Sequence, residues 1–334
     1  LQALTVARFF FTPCHLRFVF LPSALTGVLA VAGAWGMLAA QEPQPGADSD
    51  PENNSPSVVA SGAKLELLAD SFQFTEGPIS DTAGNVYFTD QPNDAIHVWS
   101  VDDQLSTFLK PSGRSNGLFF DAAGTLWACA DEQNQLWAIA PDKSHRVVIT
   151  DFEGQKLNGP NDLWVDPKGA IYFTDPFYKR PYWQRGGSEQ PEQAVYRLDL
   201  STGKVNVAAR GLEQPNGIIG DAKRKLLFVA DIRANKTYQY TISTDGTLVD
   251  RKLFCEAGSD GMTIDREGRI YLTGRKGVTV FDASGKELEV IAVPKNWTAN
   301  VTFGGPKLDT LFITASDCLY RIKTVTRGLQ PGKE

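Results

Sequence analysis

The chain has 334 residues and a formal net charge of −6 at pH 7, with acidic and basic residues interspersed. No basic stripe marks a nucleic-acid binder, and beyond residue 40 no stretch is apolar for long enough to span a bilayer. Its three histidines, His15, His97 and His145, and four cysteines stand at unrelated positions, which argues against a zinc site or a disulfide framework.

Taken in chain order, the first segment reads as an export signal. Arg8 and Arg17 supply positive charge, and the apolar stretch from Phe18 to Ala40 ends in small residues. Residues 1–40 are therefore expected to be a signal peptide cleaved after Ala40; an uncleaved membrane anchor is the alternative. Either way the folded part is expected to be exported, periplasmic or secreted, with no membrane partner for the mature domain. Residues 41–62, rich in Pro, Ser, Asp and Asn, have little to bury and read as a disordered linker. The cysteines past the signal, Cys129, Cys255 and Cys318, each sit in an apolar run and are expected as buried thiols.

From residue 63 to 325 one unit repeats. An Asp-x-x-Gly turn followed by an apolar β run recurs as DTAGNVYFTD (81–90), DAAGTLWACA (121–130), DPKGAIYFTD (166–175) and DREGRIYLTG (265–274). DAKRKLLFVAD (221–231) keeps the Asp without the Gly, and KLDTLFITA (307–315) keeps the strand alone. The spacing is blade length for a β-propeller, and each unit supplies about four short antiparallel strands. The last unit runs out after its third strand, whereas LELLAD (65–70) precedes the first unit with no partner. These facts predict an all-β fold: a six-bladed β-propeller whose N-terminal strand completes the last blade, leaving no open sheet edge. Residues 326–334 are then a C-terminal tail. A β-sandwich would not explain one turn register recurring at blade spacing.

Five residues before each repeated Asp stand Glu76, Asn116, Asn161, Asn216 and Asp260; in the sixth unit Ala299 or Asn300 takes the place. First strands line a propeller's central channel, so these positions form a ring around one axis. Polar groups are costly to bury without partners. Two carboxylates and several amide oxygens make a hard, oxygen-only ligand set of the kind that suits Ca²⁺. The competing reading is a set of turn caps, since Asn and Asp often serve as such at strand ends.

At these residues the chain resembles the gluconolactonase and senescence-marker-protein (regucalcin) family. The motifs are EGP (76–78), RSNGL (114–118), LNGPNDL (157–163), FTDPFY (173–178), PNGI (215–218), DGM (260–262) and ITASDCLYRI (313–322), and the likeness spans residues 65–325. The resemblance implies a six-bladed propeller with a divalent metal, usually Ca²⁺, and hydrolysis of sugar lactones such as gluconolactone. By motif, Glu76, Asn161, Asn216 and Asp260 resemble the family's metal ligands, and Asn116 a channel residue facing the substrate. The animal members' Arg two positions before Asn161 is Gly159 here, and Arg114 is the candidate to replace it.

The expected chemistry is metal-assisted opening of a small lactone, with Asp260 as general base and Glu76 the next candidate. The insertion at 176–193 is the expected lid, with Tyr178, Tyr182 and Trp183 to stack on a sugar and Arg180 and Arg185 to meet its polar groups; a loop packed on the propeller is the alternative. Gly113 to Gly117 matches G-x-S-x-G, but a β strand follows Ser115 and no histidine is placed to serve it. Asp90, Asp175 and Asp231, at second-strand ends, are candidate supports for the ring. Two rivals share the fold: a phosphotriester-type hydrolase on the same metal, and a non-catalytic binding or scaffold propeller. No sequence pattern announces an oligomer.

Overall fold

The computed structural model describes residues 57–330. The expected signal or anchor and most of the expected linker lie outside the described residues. Six four-stranded antiparallel sheets follow one another along the chain, each with its first strand innermost. The innermost strands are Thr75–Ser80, Ser115–Phe120, Leu163–Asp166, Pro215–Asp221, Met262–Ile264 and Thr298–Gly304. Each packs against the innermost strand of the next sheet, and the sixth packs against the first. That is a closed six-bladed propeller, and among the described residues there is no α-helix.

The blades form because their strands suit different depths. Second strands such as Leu126–Ala130 and Ala170–Asp175 are buried along their whole length. Neighbouring blades cover both of their faces, so continuous apolar runs are favoured over alternation. The outer strand of the first blade, Leu105–Leu109, is largely exposed. The repeated Asp closes the first hairpin of the blades that carry it: Asp81 Oδ1 accepts the backbone N–H groups of Ala83, Gly84 and Asn85, each at 2.9 Å. Such Asp turns need no help from the rest of the fold, which is why they were legible as a repeat.

Closure is made by Glu66–Ala69, which pairs antiparallel with Cys318–Lys323 as the outer strand of the sixth blade. Arg321 Nε meets Glu66 at 2.8 Å across that seam. The packed body is wider than the expected 63–325. Val58 is buried, Val59 bridges Thr324, and the Val325 N–H donates to the Val58 carbonyl at 2.9 Å. Beyond 325, Gly328 bridges Asp265 and Leu329 packs on the core. The expected linker end and tail are thus each stitched to the propeller, because both carry apolar residues that it buries. Cys129, Cys255 and Cys318 are buried and free.

Each innermost strand runs from one face of the ring, the mouth, to the opposite foot. At the foot the channel is lined by Ile79, Phe119, Trp164, Ile219, Ile264 and Phe303, one from each blade. Leu329 lies across them. Large apolar side chains therefore dominate the foot, with Thr263, Thr302 and Gln330 among them, and the carboxylates of the ring stand at the mouth.

Candidate functional site

The lead-in to each innermost strand sets the ring. In blades one, two, four and six the pairing register with the second strand slips next to the ring position. Such a bulge bends the strand and re-aims a side chain, here towards the axis. Three of the second-strand carboxylates hold the same lead-ins in place. Asp90 accepts the Gln73 and Phe74 N–H groups, Asp175 those of Asn158 and Gly159, and Asp231 those of Glu213 and Gln214. They support the loops that carry Glu76, Asn161 and Asn216 and do not themselves line the cavity.

A cavity of about 390 Å³ opens at the mouth and is lined by Glu76, Asn116, Asn161 and Asp260. Asn216 completes the arc, donating from Nδ2 to Asp260 Oδ1 at 2.8 Å and to the Tyr178 hydroxyl at 2.8 Å. The sixth ring position is Ala299. Thr273 Oγ1 donates to its carbonyl at 2.7 Å, as Thr89 Oγ1 does to the Asn116 carbonyl at 3.1 Å one blade along from its own. Asn300 belongs one layer deeper.

That deeper layer has a pattern of its own. The residue after the ring position is glycine in four blades, Gly77, Gly117, Gly217 and Gly261, but Asp162 in the third and Asn300 in the sixth. A Cβ on Gly117 would come within 2.5 Å of Asp162 Oδ1, and one on Gly261 within 1.9 Å of Asn300 Cγ. The glycines leave room for two polar side chains from opposite blades to lie beneath the ring. Asn300 Nδ2 in turn donates to Glu76 Oε2 at 3.3 Å. Sequence reasoning gave Asp162 no role; its signal was the break in the glycine pattern.

The electrostatics show an excess of buried negative charge. Burial, and then the charge of Asp260, push the Glu76 carboxyl well above its ordinary range. Burial pushes Asp260 up to about 6, although hydrogen bonds from Trp297 and Asn216 pull it down. Burial also pushes Asp162 up to about 7. Asn216 Oδ1 is buried without a hydrogen-bond partner among the described residues. An orphaned amide oxygen beside under-compensated carboxylates is costly unless something positive sits between them. The donor set, two carboxylates and two or three amide oxygens, fits a hard divalent cation. Among the described residues no cluster of three or more His, Cys, Asp and Glu side chains offers another metal-type ligand set.

The wall above the ring comes from the position of Arg114 and Gly159, at which sequence reasoning did not single out Phe74, Gln214 or Trp297. Two residues before the ring stand Phe74, Arg114, Gly159, Gln214, Gly258 and Trp297 in blade order. Phe74, Gln214 and Trp297 line the cavity. The Trp297 indole N–H donates to Asp260 Oδ2 at 2.5 Å, so both oxygens of Asp260 carry a donor. Glu76 Oε2 accepts from Gly77 and Asn300, while Oε1 accepts no hydrogen bond from the described residues.

The insertion at 176–193 does cover the mouth, but its residues divide. Tyr178 and Arg180 line the cavity. Trp183 does not: its indole N–H donates to the Asp131 carbonyl at 2.9 Å, and its ring fills the space that Gly159 leaves. Arg114 does not either. Its Nη1 donates to the Pro92 carbonyl at 2.7 Å and its guanidinium lies 4.6 Å from the Tyr182 ring centroid. Both candidate substrate contacts are corrected to braces of the lid. Arg185 is another brace, with Nη1 on the Leu157 carbonyl at 2.8 Å. The lid is latched by Asp131, whose Oδ2 accepts Arg180 Nε at 2.6 Å, the Tyr182 hydroxyl at 2.8 Å and Gln91 Nε2 at 3.0 Å. Ser115 Oγ donates to the Ser112 carbonyl at 2.6 Å and is fully buried, which removes it as a nucleophile.

Comparison with known proteins places the chain in a family. Residues 74–317 match the family model described as the SMP-30/gluconolactonase/LRE-like region. The gluconolactonase of Zymomonas mobilis is 30% identical over 294 residues, covering 79% of this chain and 82% of that protein. Pentonolactonase XacC of Haloferax volcanii is 30% identical over 255 residues, covering 74% and 82%. Among solved structures, a gluconolactonase of Xanthomonas campestris superposes with a TM-score of 0.75 at 28% identity, covering 80% of this chain and 91% of that one. A regucalcin of Agrobacterium tumefaciens, at 17% identity and a TM-score of 0.68, covering 80% and 96%, shares the fold. With residues 74–317 matched and a relative 30% identical over 79% of its length, the chain belongs to the SMP-30/gluconolactonase/LRE-like family.

Proposed function

We propose that this protein hydrolyses small lactones, sugar lactones foremost, on one divalent cation of the calcium type held by Glu76, Asn161, Asn216 and Asp260. The observation that carries the reading is the unpartnered, buried Asn216 Oδ1, set among oxygens that four separate blades bring to one cavity. The activities named for the Zymomonas and Haloferax relatives support the substrate class.

When bound, such a cation polarises a carbonyl and stabilises negative charge that develops on its oxygen. The chain's own residues do the rest. Tyr178, Gln91, Gln214 and Asn116 present polar groups to a hydroxylated ring, while Phe74, Ile232 and Trp297 give it apolar walls. Arg180, held by Asp131, sets the lid edge and narrows the access of bulk water. Both oxygens of Asp260 are occupied by donors, which suits it to hold and orient. Glu76 Oε1, free of donors, is the better placed to take the proton of an attacking water, so the expected order of the two carboxylates is reversed.

Asp260→Ala should lower kcat/KM for glucono-1,5-lactone about 100-fold or more and weaken Ca²⁺ binding measured by calorimetry. A chelator should remove the activity and added Ca²⁺ should restore it. Full-rate hydrolysis by chelated protein would end this reading.

A further inference from the structure

Beside the cavity at the mouth lies a second space. Between blades four and five runs a groove of about 450 Å³ that shares Ile232 and Trp297 with the cavity as common wall. Its volume is in the range of small-molecule clefts, about 300–1,000 Å³. The groove lies where the repeat is interrupted. At the rim position two residues before the ring, blades one, four and six project Phe74, Gln214 and Trp297, and the gap at Gly159 is filled by Trp183 of the lid. Blade five has Gly258 there, packed against the backbone of Ile232 and Asn235, and projects no side chain.

The lining says what chemistry would fit. Arg275 and Lys276 are matched in number by Glu256 and Glu287, so the groove carries no net charge. A carboxylate or phosphate would gain little from it, whereas a neutral group rich in hydroxyls finds donors and acceptors of both kinds. At the junction with the cavity stands the half-buried Trp297 indole, with the Arg275 guanidinium 5.4 Å from its centroid. An aromatic wall flanked by neutral-in-sum polar side chains is the make-up of a sugar subsite.

We infer that the groove between blades four and five is a second sugar subsite, and that the preferred substrate is a lactone carrying a further glycosyl unit, an aldobionolactone. This rests on the lactonase reading for its reaction but not for its binding. With the lactone ring over the cavity, the second sugar passes Trp297 into the groove.

Gly274 offers a clean probe. It lines the groove, a Cβ there would meet no atom within 4 Å, and it pairs with Gly277 at the end of its strand. Gly274→Phe adds an aromatic ring at the groove wall, and its Cβ meets no clash. Initial rates would be measured on the full chain with glucono-1,5-lactone and cellobiono-1,5-lactone, corrected for spontaneous opening. Wild type should favour the cellobiono substrate by at least about tenfold in kcat/KM, and Gly274→Phe should cut that ratio by at least about tenfold. A wild-type ratio near one, or a ratio that Gly274→Phe leaves alone, overturns the proposal. Cellobionate binding by calorimetry gives an arm independent of turnover. Binding at least tenfold weaker in Gly274→Phe supports the subsite even if neither lactone is opened, an outcome that would count against the lactonase reading alone.

Discussion

Asp175 serves the ring without joining it. It is fully buried and accepts the N–H groups of Asn158 and Gly159, each at 2.8 Å. Burial pushes its carboxyl up from 3.8 to about 7, with those two donors and Arg185 pulling the other way. The folded protein therefore binds a proton there that the unfolded chain has released. Its contribution to stability is whole below about pH 4 and is lost as pH rises to about 7. Asp175→Asn removes the titration and one of two acceptors. Wild type should be the more stable by about 1 kcal/mol at pH 4.5, and the gap should narrow or reverse by pH 8 in urea unfolding. A gap that stays constant with pH would show a carboxylate ionised throughout. The ring residues themselves were legible because each occupies one register of a repeat. Trp297 and Asp162 were not, because what marks them is a departure from a neighbour's pattern that only packing makes visible.

At the scale of the element, the lid shows the same division. That an insertion rich in aromatic and arginine side chains would cover the mouth follows from its place after a second strand. Which of its residues face inward does not follow, since Tyr178, Tyr182 and Trp183 are chemically alike. Asp131 decides it: by collecting Arg180, Tyr182 and Gln91 on one buried oxygen, it turns Tyr182 and Trp183 into the support and leaves Tyr178 and Arg180 at the cavity. Its counterparts Asp90, Asp175 and Asp231 brace lead-in loops, a duty that Asp94 performs for the second blade by accepting Ser112 N and Arg114 N. Asp131→Asn should loosen the latch. We expect KM for a sugar lactone to rise roughly tenfold, about 1.4 kcal/mol, with kcat within about threefold and faster proteolysis between 176 and 193. An unchanged KM would mean that the latch does not shape the site.

For the whole molecule, closure is the economy on which the site depends. Oxygens from blades one, two, three and five share one cavity, with Asn216 of blade four hydrogen-bonded beside them, only while the ring is shut, and Glu66–Ala69 shuts it at the sixth blade. Deleting residues 57–70 would expose the edge of Cys318–Lys323 and take Val58 out of the core. The shortened chain should melt at least about 10 °C lower by calorimetry and tend to self-associate. An unshifted melt would show that the seam is dispensable. Sequence by itself determined the blade count, the closing strand and the ring register, because Asp turns and apolar strand runs are local and recur at fixed spacing. Only the tertiary structure decided that the packed body reaches Val58 and Leu329, that Ala299 and not Asn300 takes the sixth ring place, and that Trp297 holds Asp260. Those facts arise where different blades touch, and the distance of closest approach between two blades is written in neither one alone.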